Sequence, residues 1–186
     1  MIRMNFAWTP HRFSGGALAL DVANSVVLRF DPERSVDRFA VPAHMDGFAG
    51  AASEFCAEKA LFGELRPTAG EYRPLLIALR EAIDDYFRQR TLGNDDRGRL
   101  AKLLETAAAC LKTADEDDRL EAATARSALR LLVEPEPQRM KICGNCGWLF
   151  LDRSKNRSRT WCDMAVCGNR VKANRHYRRR KAEVVT

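Results

Sequence analysis

The spacing Cys143-x2-Cys146-x15-Cys162-x4-Cys167 constrains this chain more than any other feature. Two short-spaced thiol pairs, separated by about 12 to 20 residues, supply four soft ligands to one metal at small chain-entropy cost. Other roles for the thiols fit less well. Disulfides need an oxidising compartment. A CxxC redox centre needs a strand-to-helix βαβ setting, which the Pro-rich stretch ahead of Cys143 does not offer. A catalytic zinc keeps one position open, whereas four cysteines close the site. The reading is a structural zinc ion on Cys143, Cys146, Cys162 and Cys167. Four thiolates also bind iron, and spacing alone does not separate zinc from an iron–sulfur cluster.

The local sequence adds a framework to the ligands. In Cys143-Gly-Asn-Cys-Gly147 the glycines let the backbone turn beneath the metal, as in a zinc knuckle. Trp148–Ser154 has the make-up of a strand, with Ser158–Trp161 as its returning partner across the polar turn 155–157. Asp163 is a natural cap for a following helix, or else Gly168-Asn169 delays its start. A finger this small has almost no core, so the metal supplies much of its folding free energy.

Charge divides the chain near Glu136. From Arg139 to Thr186 there are 13 Lys and Arg against three acids, a net of +10, while the rest carries 18 basic and 22 acidic side chains, a net of −4. An acidic body with a basic end is the pattern of a chain whose one end meets a polyanion. The phosphate-contacting cations are read as Arg153, Lys155, Arg157 and Arg159 in the finger, then Arg170, Lys172, Arg175, Arg178, Arg179, Arg180 and Lys181 along the helix. His176 belongs to that helix rather than to the metal. Trp148, Phe150, Trp161 and Tyr177 discriminate between partners. If Trp148 and Phe150 are exposed they stack single-stranded bases, and if buried they leave duplex backbone contact to the helix.

Ahead of the seam at Glu134-Pro135-Glu136-Pro137 the chain reads as helical. Apolar residues at three- and four-residue intervals predict helices over Ala17–Phe30, from Pro42 to about Gly63, Ala69–Thr91, Asp96–Lys112 and Asp117–Val133. Cys56 and Cys110 fall at apolar helix positions and read as buried hydrophobes. His11 and His44 read as surface or capping residues. Phe6, Trp8, Tyr72, Tyr86 and Phe87 read as ordinary core. No phosphate loop, HExxH or GxSxG occurs, so no enzyme is expected. No run approaches the about 20 apolar residues of a bilayer span, and the N-terminus lacks a secretory apolar stretch, so the expected location is the cytoplasm.

The run CGWLFLDRSKNRSRTWCDMAVCGNRVKANRHYRRR closely resembles the CGNR zinc finger, whose name is Cys167-Gly168-Asn169-Arg170 here. Upstream, GGALALDVANS resembles the opening of the ABATE domain that precedes this finger in bacterial proteins. The resemblance implies zinc on the same four cysteines, a turn fixed by the Asn169 side chain, and DNA binding in transcription regulation. The expected fold is mainly α: a helical ABATE-like domain over 1–135 and a small treble-clef-like zinc finger with a basic helix over 136–186. The expected partner is DNA, with no membrane, and the helical domain serves for dimerisation to a homodimer or for sensing a small-molecule effector. The competing expectation is an RNA-binding or protein-interaction adaptor with the finger as a rigid platform. Two independent domains would let a ligand mutation unfold the finger while the helical domain melts unchanged.

Overall fold

The computed structural model describes residues 6–183, with side chains through Arg180. The order is a 3₁₀ turn Pro10–Phe13, α1 (Leu18–Ala23), β1 (Val26–Val27), β2 (Val36–Asp37), a 3₁₀ turn Arg38–Ala40, α2 (Pro42–Phe55), α3 (Lys59–Phe62), α4 (Arg73–Thr91), α5 (Arg97–Thr113), α6 (Leu120–Leu132), β3 (Met140–Ile142), β4 (Leu149–Leu151), a π turn Met164–Gly168 and α7 (Asn169–Glu183). The mainly helical reading holds. None of the described helices is long and apolar enough to cross a membrane.

The long helices lie where apolar periodicity puts them. Asp96 caps α5 by accepting from the Arg99 amide at 2.8 Å, and a 3₁₀ turn, Gly70–Tyr72, leads into α4. Two expected helices are shorter than their periodicity. α1 stops at Ala23 instead of running to Phe30, because the backbone beyond it is used by other partners. The Val26 carbonyl accepts from Trp148 Nε1 at 3.1 Å, and Val26 pairs with Asp37 across the β1–β2 ribbon. α2 ends at Phe55, where Cys56 turns extended at ψ 141°. The break turns Glu58 inward to accept from the Leu18 amide at 2.8 Å.

α1 is the hub. All six of its residues are buried. One side, with Ala19, Leu20 and Ala23, joins Leu79, Ile83, Phe87, Leu103 and Leu131 of α4, α5 and α6. The other, with Leu18 and Val22, joins Phe13, Phe39, Phe48 and Leu76. Cys110 and Cys56 are buried in these two clusters respectively, as are Phe87 and Tyr86. Asp21 is the one acid in the hub. Its Oδ1 accepts from the Gly15 amide at 2.8 Å, its Oδ2 has no hydrogen-bond partner among the described residues, and burial pushes its carboxyl up to about 8.

The cores do not divide where the chain does. β4 pairs antiparallel with β3, in the register Met140↔Leu151 and Ile142↔Leu149. Strand alternation then sends Leu149 and Leu151, with Met140, into the helical core. Trp148 and Phe150 point the other way, onto the cysteines. The other edge of β4 is taken by the body. Leu151 donates to the Gly15 carbonyl at 2.9 Å, while Asn24 accepts from the Leu149 amide at 3.0 Å and donates to its carbonyl at 2.9 Å. The seam Glu134–Pro137 is a boundary in composition and charge, and the packing runs across it.

The expected partner strand 158–161 is coil. Asp152, fully buried, gathers the segment onto its carboxylate: Lys141 Nζ donates at 2.8 Å, the Ser154 amide at 3.0 Å and the Arg159 amide at 2.9 Å. A strand over 158–161 would need the Arg159 amide for a ladder, and both edges of β4 are already occupied.

Two outcomes follow. Asn24→Ala strands a buried amide and a buried carbonyl of Leu149, each worth about 1–3 kcal/mol, and is expected to lower stability by about 2–4 kcal/mol in urea unfolding. For Asp21 the folded carboxyl lies above its ordinary 3.8, so the folded state binds the extra proton. The contribution of Asp21 to stability is then fully present below pH about 4 and is lost as pH rises to about 8. Asp21→Asn is expected to flatten that decline, read by unfolding at pH 5 and pH 8.

Candidate metal centre and nucleic-acid interface

β3 delivers Cys143 and β4 closes the knuckle. The Cys143 amide donates to the Trp148 carbonyl at 2.8 Å, and that of Gly147 to the Cys143 carbonyl at 2.9 Å. Gly147 sits at φ 74°, where only glycine is unstrained. The Gly144 amide donates to the Thr160 carbonyl at 3.1 Å, drawing the loop ahead of Cys162 onto the knuckle. Asp163 then caps the π turn through the amides of Ala165 and Val166 at 2.7 and 3.1 Å. That turn carries Cys167, and the regular helix α7 begins at Asn169. Both sequence-level starts for the helix are therefore used, one for the π turn and one for α7.

The four sulfur atoms all lie within 4.8 Å of one another. Cys146 Sγ and Cys162 Sγ are 3.6 Å apart, and Cys162 Sγ and Cys167 Sγ 3.7 Å. Four thiolates at about 2.3 Å from a tetrahedral zinc are spaced by about 3.8 Å, whereas a disulfide needs about 2.05 Å. The donor set fits structural zinc, and three of the four cysteines are buried. The Cys146 thiol, and then that of Cys162, holds the Cys143 thiol well below its ordinary range. A zinc ion here supplies a closed cross-link between the β3–β4 hairpin and the start of α7.

Glycine spacing has a second reason that turn chemistry does not reveal. A Cβ on Gly144 would meet Trp161 Cζ3 at 2.9 Å, and one on Gly168 would meet Trp161 Cδ1 at 3.3 Å. The Trp161 indole lies against both glycines and joins the knuckle to the helix start. Asn169 behaves as the resemblance implies, its Nδ2 donating to the Ala165 carbonyl at 2.8 Å.

The structure sorts the sequence-predicted cations. Arg157 pairs with Glu136. Arg159 is half-buried, stacks on Phe150 with 5.3 Å to the ring centroid and donates to the Cys162 carbonyl. Both already have partners within the finger. Arg153 and Lys155 are exposed, as are Arg170, Lys172, Arg175, Arg178, Arg179 and Arg180 on α7. The Lys181 side chain lies outside the described residues. Gly144, Val171, Asn174, Arg175, Arg178 and Arg179 line a groove of about 620 Å³ between knuckle and helix.

Three clamps between body and finger were not assigned from sequence. Arg88, buried and paired bidentately with Asp84, donates to the Gly147 carbonyl at 2.8 Å. His11 pairs with Asp163 at 2.9 Å and its ring lies 5.5 Å from that of Trp148. Asn24 holds Leu149. Only Asn24 carried a signal, as part of the GGALALDVANS segment.

Residues 139–180 match the family model of the CGNR zinc finger. No curated protein matches the chain. The match covers β3, β4, all four cysteines and α7 through Arg180, so the metal centre and the basic helix both lie within the stretch that is similar to the CGNR zinc finger.

Because β4 of the CGNR finger packs in the helical core, loss of the metal is expected to reach the body, in place of the independent melting that two separate domains imply. Chelation of the metal, or Cys162→Ser, is expected to destabilise the whole chain by about 3 kcal/mol or more, lowering Tm by roughly 6–12 °C for a chain of this size. The helical signal at 222 nm and the tryptophan signal should fall in one coincident transition.

Proposed function

We propose that the chain is a non-catalytic, DNA-binding transcription regulator in which the CGNR finger presents α7 to the phosphate backbone. One observation carries the reading. α7 is a fifteen-residue helix whose residues from Lys172 to Arg180 are exposed on every side, with no carboxylate paired to any of its described cations. A helix polar all round has no apolar stripe to hold it to its own protein. Its arginines offer several phosphate contacts, each releasing condensed counterions. α7 stands on the metal-linked Cys167 and Asp163, so the cations are held at a defined place.

The aromatics support backbone contact over base stacking. Trp148 is 5% exposed and Phe150 is fully buried, so neither offers a face to a base. Tyr177, 69% exposed on α7, offers a face for stacking, and it favours an RNA-binding adaptor if single strands compete well with duplex. The helical body takes the sensing or dimerising role that its ABATE-like opening implies. An apolar hollow of about 420 Å³, with Phe87, Leu131, Met140 and Leu151 in its wall and Arg90 and Glu134 beside them, bridges α4, α6 and the β3–β4 hairpin. A small effector bound there would touch both halves.

The test is a salt-titrated binding measurement of the zinc-loaded chain with mixed-sequence duplex DNA, single-stranded DNA and RNA. Duplex binding is expected with a log-log salt slope of magnitude above about 4. The variant Arg178→Gln/Arg179→Gln/Arg180→Gln is expected to lower that magnitude by about 3. Affinity indifferent to salt would remove the reading.

A further inference from the structure

Arginines from three separate parts of the chain gather at the foot of α7. Arg12 lies in the turn Pro10–Phe13. Its neighbour His11 pins that turn to the finger through Asp163 and Trp148, and Asp163 caps the turn that leads to Arg170. Arg38 opens the 3₁₀ turn after β2. Its guanidinium carbon lies 4.4 Å from the Phe6 ring centroid, and that of Arg12 lies 4.7 Å from the same centroid. One aromatic ring from the N-terminal segment therefore holds two cations beside the start of the finger helix.

These cations lack the partners that other body arginines have. Arg29, Arg73, Arg80 and Arg88 each reach an Asp or Glu. Among the described residues no carboxylate pairs with Arg12, Arg38 or Arg170, and Arg38 Nε is buried without any hydrogen-bond partner. Burial first, and then the charges of Arg38 and Arg170, hold the Arg12 guanidinium below its ordinary value. Gathering like charges in a half-desolvated place is unfavourable unless an anion completes it. Beside Arg170, a groove of about 500 Å³ lined by Arg34, Asn145, Ala173 and Asn174 runs along the same end of α7.

We propose that Arg12, Arg38 and Arg170 form one phosphodiester-binding face, so that a DNA backbone held by α7 continues over the helical body. The inference rests on the DNA reading of α7 and adds residues outside the CGNR match. Two contacts from the body fix the helix's angle and register on the duplex, which contacts from α7 alone leave free to swivel. Arginine suits the task because its planar fork stacks on Phe6 and still presents donors to a phosphate.

The experiment compares the zinc-loaded wild-type chain with Arg12→Gln/Arg38→Gln, Arg12→Lys/Arg38→Lys and the α7 triple Gln variant, by salt-titrated fluorescence anisotropy on a mixed-sequence duplex. Removing two phosphate contacts is expected to lower the slope magnitude by about 2, with the near-ultraviolet circular dichroism unchanged. The Lys pair, which keeps the charges and loses the fork, is expected to keep the slope. An unchanged slope in the Gln pair, with the α7 variant still reduced, overturns the composite face and leaves the DNA reading standing. A slope lost in both the Gln and Lys pairs assigns these arginines to packing around Phe6 and also overturns it. Absence of duplex binding by the wild-type chain defeats the DNA reading itself.

Discussion

Strand β4 has three residues, and every direction from it is committed. One edge pairs with β3 and the other with Gly15 and the Asn24 side chain. One face belongs to the helical core and the other to the cysteine cluster. Burying Leu149 and Leu151 is worth about 1.5–3 kcal/mol each, and those side chains are fixed in place only if the hairpin forms. The hairpin is closed by a knuckle whose two thiols want a metal. Body and finger therefore share a strand, and neither completes its core without it.

That sharing changes what the metal stabilises. In an isolated finger a zinc ion stands in for a missing core. Here Trp148 and Phe150 make a small core over the sulfurs, while the body holds the finger through Gly15, Asn24, Arg88 and His11. The buried Arg88–Asp84 pair is chemically costly on its own. The third guanidinium nitrogen of Arg88, Nη1, donates to the Gly147 carbonyl, at the tip where the knuckle turns. The metal thus fixes the distance between hairpin and α7, and the body fixes the direction in which α7 leaves.

Much of this was legible in the chain because it is local. Ligand spacing, the cap at Asp96, the periodic apolar residues of α4 and the charge step near Glu136 all depend on neighbours a few residues apart. What was not legible depends on partners far along the chain. The four-residue rhythm Leu18, Val22, Val26, Phe30 reads as one helix, yet Trp148 and Asp37 claim the backbone at Val26. Ser158–Trp161 has strand-like residues, yet the Asp152 carboxylate takes the Arg159 amide and both edges of β4 are filled. Arg157 and Arg159 look like partners of Arg153 and Lys155, but Glu136 and Phe150 engage them inside the finger. Gly144 reads as turn chemistry, and its close approach to Trp161 appears only when the loop folds back.

Electrostatics then distinguishes the two ends of the molecule. In the body, Arg29, Arg73, Arg80 and Arg88 sit beside acids, so folding neutralises them internally. On α7 six described cations follow one another with no acid among residues 169–180, and their mutual repulsion opposes the helix. Arg178, Arg179 and Arg180 near its C-terminal end gain from the helix dipole by only about 0.3–1 kcal/mol each where exposed. The metal-linked end nucleates the helix, removing the costly first turn, but cannot cancel charge along its length. Phosphates can, and each one bound lowers the repulsion between neighbouring arginines. A helix of this composition would therefore be stabilised by any polyanion it bound, which is a physical reason for the exposed cations of α7 to stand clear of the described body.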